Sequence, residues 1–479
     1  MKYLYGASIQ GIQKYIFQTN ELKDIVGASE LVNQICDEDF VSRYIDKDKD
    51  KMIVHAAGNI KCIFDNEETC RRAVREFPRY AMETAPGITI SQAVVKFEND
   101  SDYSTKAEEL ESRLHAQRNR PVKSLTTGLM SMERSRTTGL PAIKIENDEY
   151  LDEGTVAKRN AKDGGELYRK LTGDNVKCEH RPYDTKDLTK WNDWIAVIHA
   201  DGNGLGEVVA AIHDPDEMRE FSRNLDKATI AAARTAYATI KKEDEETNGT
   251  WKKLPIRPVV IGGDDLTAIC RGDLAVRFVE KYLEAFEKET NERIGQKLTA
   301  CAGIAFIKSS YPFYYGYDLA EALCREAKTD AKSDDVKKKN GGKAPSCLMF
   351  HKVQSSFVED YAEIKRKELT TVDKGSLCFG PYYLTEQADR WTIKELSDTV
   401  ARLTKEDNNR VKTAIRQWLT LMHEDAGAAV QHSKRVLDII DGDKSIYISA
   451  TTGIKSKRGT LYPAYDLLSL LTITQQVTK

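Results

Sequence analysis

The chain has 479 residues, 40% hydrophobic and 31% charged, with a net charge of −3 and a pI near 6.3. At roughly 150 residues per domain, that length predicts about three domains with cores of their own. The balance of charge excludes a global basic footprint, so any nucleic-acid contact must be a local patch.

No apolar run approaches the roughly 18 residues of a membrane span, and the opening MKYLYGASIQGIQKYIF is too polar for a signal peptide. The nine cysteines are scattered without a CxxC pair. Reduced thiols in a cytoplasmic protein with no membrane association are therefore expected, rather than disulfides or a zinc ribbon.

In chain order, Tyr3 to Ser8 reads as a strand, and Gly11 onward as a helical segment interrupted near Asn20. Met52 to Phe64 is hairpin-like, Glu67 to Met82 helical, and Gly87 to Phe97 a strand. Residues 100 to 190 are polar, Gly/Lys-rich and short of long apolar faces, the composition of an insertion or small subdomain.

A stronger pattern follows from Trp194. Ile195, Val197, His199 and Asp201 share one strand face that runs into Asp201-Gly202-Asn203-Gly204-Leu205-Gly206. Phe221, Leu225, Ala228, Ala232 and Ala236 mark a long helix. The hairpin VVIGGDDLTAIC (259–270) comes next, then a helix from Gly272-Asp273, a buried strand from Leu298 to Ile307, and an amphipathic helix from Tyr317 to Lys332. The order β-α-β-β-α-β is ferredoxin-like.

Laid over this unit, the N-terminal elements form a weaker copy. Ala7-Ser8-x-x-Gly11-Ile12 falls on Ala200-Asp201-x-x-Gly204-Leu205, and Ala57-Gly58-Asn59-Ile60 on Gly263-Asp264-Asp265-Leu266. Each acid of the second copy is then replaced in the first: Asp201 by Ser8, Asp264 by Gly58, Asp265 by Asn59. The run Lys337 to Lys343 reads as a mobile, solvated loop. Residues from 355 onward read as helical, with one face at Val411, Ile415, Trp418, Leu419 and Met422. The expected fold class is α+β, two tandem ferredoxin-like domains and a mainly helical C-terminal domain, divided at 1–105, 106–190, 191–355 and 356–479.

Adjacent carboxylates at a hairpin tip repel, which raises a pKa or strains the turn unless a cation compensates. Gly262 and Gly263 free the backbone for positive φ and close approach. Ferredoxin-like topology brings Asp201 beside that tip. Three carboxylates without a His or Cys partner suit a hard cation, Mg²⁺ or Mn²⁺, with phosphate oxygens completing the shell. Two such ions can activate a 3′-hydroxyl and neutralise a triphosphate. DGNGLG reads either as a tight turn or as a phosphate cradle. Lys328 and Lys332, on the following helix, read either as solvated or as reaching the β- and γ-phosphates. His199 reads as a packed strand histidine, and Lys455, Lys457 and Arg458 as a solvated loop.

DGNGLG, IGGDDL and LAEALCREAK in this order resemble the palm domain of GGDEF-type nucleotidyl cyclases. The closer resemblance is to the large polymerase-like subunit of type III CRISPR effector complexes, which has two tandem palms of which one carries GGDD. IQGIQKYIFQTNELKDIVGASELV resembles that family's first palm, so the likeness spans roughly 1–110 and 190–355. It implies synthesis of cyclic oligoadenylate from ATP with Mg²⁺ or Mn²⁺. Asp201 and Asp264 would then hold the metals, with Asp265 assisting and the Gly202 carbonyl contributing. The nucleotide would contact Asn203, Gly204, Leu205 and Gly206, with room left by Gly262 and Gly263, and its triphosphate would meet Lys328 and Lys332. The implied partners are nucleoside triphosphates, guide and target RNA and other CRISPR effector subunits.

There are departures from the family. No HD nuclease motif precedes the first palm, His213-Asp214 being an isolated dipeptide at a helix start. A four-cysteine zinc module between the palms has no counterpart, and Asn203 stands where many relatives have a further Asp. The leading expectation is a metal-dependent nucleotidyltransferase in antiviral defence, in a complex or alone. Its rival is a non-catalytic RNA-binding scaffold subunit. A template-copying polymerase would need a strongly basic channel that the overall charge does not suggest.

Overall fold

The computed structural model describes residues 1–45, 52–56, 58–99, 102–120, 130–355, 360–387, 389–440 and 442–475. The first sheet is built from β1 (Lys2–Gln10), β2 (Met52–Ala56), β3 (Asn59–Phe64) and β4 (Thr89–Phe97), in the order β2-β3-β1-β4. Between β1 and β2 lie α1 (Ile12–Ile16), α2 (Leu22–Asn33) and α3 (Phe40–Tyr44), so the break near Asn20 is real. Helix α4 (Glu67–Thr84) connects β3 to β4.

Helix α5 (Tyr103–Arg118) packs on β1 and β4, with Tyr103, Leu110 and Leu114 buried. This corrects the reading of residues 100 to 190 as an insertion, since the packing of the first domain continues past 105 to Arg118. The spacing of Tyr103, Ala107, Leu110 and Leu114 was its signal, diluted by charged residues between them.

The insertion itself is small and tied down. Its hairpin of β5 (Ala142–Glu146) and β6 (Glu149–Asp152) turns through Asn147 and Asp148, at φ 51° and 61°. Helix α6 (Glu153–Asn160) packs on α2, and α7 (Glu166–Thr172) packs against the second domain.

The second sheet contains β7 (Trp194–Gly202), β8 (Ile256–Gly262), β9 (Asp265–Arg271) and β10 (Ala300–Lys308), ordered β10-β7-β9-β8 like the first sheet. It is extended by β11 (Cys347–Lys352), parallel to β10, and β12 (Tyr382–Tyr383). Helices α8 (Leu205–Ala210) and α9 (Pro215–Asn248) follow β7, and α10 (Ala275–Ile294) follows β9. Asp214 caps α9 through the Asp216 and Glu217 amides, a local role for the isolated His-Asp dipeptide.

Helix α11 (Phe313–Ala331) packs on β10 and is followed by α12 (Asp334–Lys339). The lysine run is therefore half helix, not a loop: Asp334 and Asp335 in the first turn and lysines in the last suit the helix dipole.

Strand register supports the internal repeat. Ala7 pairs with Ile60 and Ser8 with Asn59, while Ala200 pairs with Leu266. Ser8 is thus the positional counterpart of Asp201, and Asn59 of Asp265; Ala57 lies outside the described residues. The two units pack face to face, α9 on β2 and α2 on β8, with Phe17 stacked on Tyr317 at 4.6 Å.

The C-terminal part comprises α13 (Tyr361–Lys367), α14 (Ile393–Thr404), α15 (Asn409–Glu424), α16 (Ala426–Ile439), α17 (Lys444–Thr451) and α18 (Ala464–Thr474), with a hairpin of β13 (Ile454–Ser456) and β14 (Gly459–Leu461). That hairpin replaces the expected solvated loop. Arg458 Nη1 donates to Gly380 O at 2.8 Å, and Arg458 Nε lies 3.5 Å from Asp330 on α11. Among the described residues no helix is long and apolar enough to cross a membrane.

Candidate carboxylate site between the palms

Gly262 pairs with Asp265, leaving Gly263 and Asp264 as a two-residue turn. Gly263 has φ 61°, the positive value that such a turn needs at its first position. Gly262 takes ordinary strand geometry, so only one glycine of the pair answers a conformational need. Helix α9 holds the tip: the Gly263 amide donates to Asp226 Oδ1 at 3.1 Å, and Thr229 Oγ1 donates to Gly263 O at 2.5 Å. Sequence reasoning missed both residues. Their spacing places them on one helix face, but nothing local marks that face as meeting a hairpin.

Asp201 and Asp264 come within hydrogen-bonding reach of each other. Burial pushes Asp264 up to about 7, reinforced by the charge and hydrogen bond of Asp201. Gly202 makes the approach possible. A Cβ there would meet Leu205 Cδ1 at 2.6 Å and Asp264 Cβ at 3.1 Å. Lys328 Nζ contacts Asp201 Oδ2 and donates to Gly202 O at 2.9 Å. Burial works against this ammonium, but Asp201 outweighs it and the net shift is upward.

Asp265 continues the β7–β9 ladder one step past the Ala200–Leu266 pair, which sets it across from Asp201. It stands one step along β9, near His199, whose Nδ1 lies 3.6 Å from Asp265 Oδ1 and 3.3 Å from Thr267 Oγ1. Asp264 sits in the turn and Asp265 opens β9, so the adjacent acids belong to turn and strand respectively. Burial, then the Asp201 charge, pushes Asp265 up to about 7, and its Oδ1 is buried without a hydrogen-bond partner. His199 is packed as expected, edge-on to Tyr317 at 5.6 Å, and burial lowers its pKa.

Among the described residues no group of three or more His, Cys, Asp or Glu side chains is arranged to hold a metal ion. The chain instead offers two carboxylates sharing excess negative charge and one carbonyl. These oxygen donors fit a hard cation whose shell is completed by a ligand.

The remaining predicted residues divide between two places. Asn203, Gly204 and Lys332 line a cavity of about 180 Å³ with Lys297, Lys337 and Lys343. Asn203 is bound to β10, its amide donating to Thr299 O at 2.8 Å and its Nδ2 to Thr299 Oγ1 at 3.1 Å. Its Oδ1 is buried and unpartnered. Leu205 packs over Gly202, while Gly206 is open. Gly262 and Asp265 line a separate cavity of about 230 Å³ between the palms, walled by Gln13, Asn33 and Gly58 of the first. Gln13 Oε1 and Asn33 Nδ2 are buried there without partners.

Fold and site together define a tandem-palm protein in which one palm keeps its acids and the other has lost them. Residues 194–337 match the family model "Cas10/Cmr2, second palm domain", less than a third of the chain. Solved structures resemble the whole chain. A Csm1-Csm4 cassette in complex with cA4 aligns at TM-score 0.59 and 14% identity, covering 100% of this chain and 70% of that one. A cassette in complex with one ATP aligns at 0.60 and 15%, again over 100% and 70%. The Csm1-Csm4 subcomplex in the type III-A CRISPR-Csm interference complex aligns at 0.59 and 14%, with the same coverage. No curated protein matches the chain. The chain thus resembles Cas10 in its second palm and shares the fold of Csm1 over its length.

Proposed function

We propose that this chain is the large subunit of a type III CRISPR effector and that its second palm joins and cyclises ATP into cyclic oligoadenylate. The carrying observation is the Asp201–Asp264 pair held against Gly202 O and Lys328 at a glycine hairpin, inside the segment that matches the Cas10/Cmr2 second palm. A palm kept only as an RNA platform has no use for two half-buried acids forced so close that one holds its proton near neutrality.

Asp201, Asp264 and the Gly202 carbonyl would hold Mg²⁺ or Mn²⁺. When bound, the ions activate the acceptor hydroxyl and neutralise the triphosphate. The chain's own groups supply position and charge. Lys328 leaves Asp201 for a phosphate oxygen as nucleotide enters, and the lysine-lined cavity beside Asn203 and Gly204 receives the rest of the triphosphate. The interpalm cavity holds the acceptor nucleotide in line with the donor, which makes a bimolecular step effectively unimolecular. Gln13 Oε1 and Asn33 Nδ2, an acceptor and a donor without protein partners, then meet the acceptor nucleotide. Partner subunits of the CRISPR complex and guide and target RNA belong to the same reading, supported by the Csm1-Csm4 likenesses.

The test is incubation of pure protein with labelled ATP and Mn²⁺, with and without guide and target RNA. The expected product is cyclic oligoadenylate, abolished by Asp264→Asn. No product under any condition, with Asp264→Asn indistinguishable from wild type, overturns the reading.

A further inference from the structure

Behind the carboxylates the second sheet carries a pair of buried thiols that the proposed chemistry does not use. Cys301 on β10 and Cys347 on β11 face each other in parallel register, with their Sγ atoms 3.5 Å apart. Neighbouring strands run about 4.8 Å apart, inside the roughly 4.4–6.8 Å Cα window of a disulfide, whose S–S bond is about 2.05 Å. The sulfurs thus need a small approach, and the backbone is already placed. The third thiol nearby is committed elsewhere: Cys324 Sγ donates to the Cys301 carbonyl at 3.2 Å.

The pair is also wired to the acidic site. Cys301 stands opposite Asp201 in the β7–β10 register. Asn203 Nδ2, which lies in the turn after Asp201, donates to Cys301 Sγ at 3.3 Å. Asn203 also walls the lysine-lined cavity, so a small neutral oxidant that enters there is one side chain from the sulfur.

We propose that Cys301 and Cys347 are a reversible modification site, closing to a disulfide under peroxide and loosening the Asp201–Gly206 turn. One thiolate attacks a peroxide oxygen, the O–O bond breaks, and the leaving hydroxide takes a proton to become water, giving a sulfenic acid. The second thiol attacks that sulfur, the S–S bond forms, and the sulfenic oxygen departs with two protons as a second water. Two thiols are oxidised, and one peroxide is reduced to two waters. A dithiol reductant reverses the change. The Cys301 sulfur, drawn toward β11, withdraws from Asn203 Nδ2, which leaves that side chain held by Thr299 Oγ1 alone, its Oδ1 being unpartnered already.

Neither readout of the test depends on nucleotide chemistry. The full chain is treated with a few equivalents of hydrogen peroxide, quenched, alkylated under denaturing conditions and mapped by mass spectrometry. The expected result is a Cys301–Cys347 linked peptide and loss of alkylation at these two positions, both reversed by dithiothreitol. Recovery of both cysteines as free thiols after the exposed Cys178 has been consumed overturns the proposal. Hydrogen exchange of the oxidised chain is expected to be faster across residues 201–206 than in the reduced chain. A linked peptide with unchanged exchange there overturns the coupling to the site. Cys347→Ala is expected to remove both effects, and the wild-type measurement decides the matter even if that variant folds poorly.

Discussion

Replacing Asp264 with Asn removes a charge that the fold tolerates only with a cation present, so the variant should be more stable than the wild type without metal. The folded pKa of about 7 compares with an ordinary value of 3.8. Three units correspond to about 4 kcal/mol. Relaxation around the pair and the neighbouring Lys328 charge discount this, and the expected figure is about 1–2 kcal/mol. The sign follows from proton counting. Between pH 4 and 7 the unfolded chain has released the Asp264 proton and the folded chain has kept it, so wild-type stability falls as pH rises through that window. The Asn variant lacks this slope. Calorimetry in EDTA should show Asp264→Asn melting roughly 3–6 °C above wild type at pH 8, with the gap shrinking toward pH 4. Added Mn²⁺ should stabilise the wild type and leave the variant unmoved. A variant no more stable than wild type at pH 8, or a gap independent of pH, refutes the account of the acidic pair.

Gly202→Ala drives a methyl into Leu205 and Asp264, so it should cost about 1–3 kcal/mol by overpacking and abolish product, read by melting and by the ATP assay. Gly303→Ala is a structural contrast. Its Cβ would lie 1.9 Å from Ala320 O, and the expected outcome is failure of the second palm to fold, seen as lost soluble yield. Lys328→Met should leave folding intact and weaken Mn²⁺-ATP binding about tenfold or more in a fluorescence titration. Gln13→Leu with Asn33→Leu should hold or raise stability by removing unpaired buried amides, yet lower product yield. Unchanged yield would separate the interpalm cavity from the acceptor nucleotide.

How much of this was legible before the coordinates follows from range. Period-two and period-3.6 patterns are local, so the β-α-β-β-α-β order, the break near Asn20 and the long helix after Asp214 were all readable. The GGDD turn was readable too, because a two-residue hairpin needs its glycine within the turn itself. Asp226 and Thr229 were not, since their role depends on which helix face meets the tip. Helix α5 was obscured by composition: Leu110 and Leu114 bury against Gly6, a residue distant in sequence. The place of Asp265 across from Asp201 was readable from strand alternation, whereas the close approach of Asp264 was not, because Asp264 sits in the turn.

The first palm is an internal control for this reading. At the positions of Asp201 and Asp265 it carries Ser8 and Asn59, and Ser8 Oγ donates to Asn59 Oδ1 at 2.8 Å. Arg118, near the end of the helix after β4, donates to Ser8 Oγ at 3.2 Å, as Lys328, near the end of the helix after β10, meets Asp201. A cation thus stands at the corresponding place in both units, while the acids survive in one. In the first palm the neutral pair is satisfied without any ion. In the second, the carboxylates repel, one holds a proton near neutrality, and Asp265 keeps an unpartnered buried oxygen. A fold that already contains the comfortable solution and retains the uncomfortable one beside it is holding that strain for a ligand. The same contrast bears on the cavity between the units, which Asp265 lines from the second palm and Gln13, Asn33 and Gly58 wall from the first: a palm relieved of its own charge presents polar groups there without a competing carboxylate.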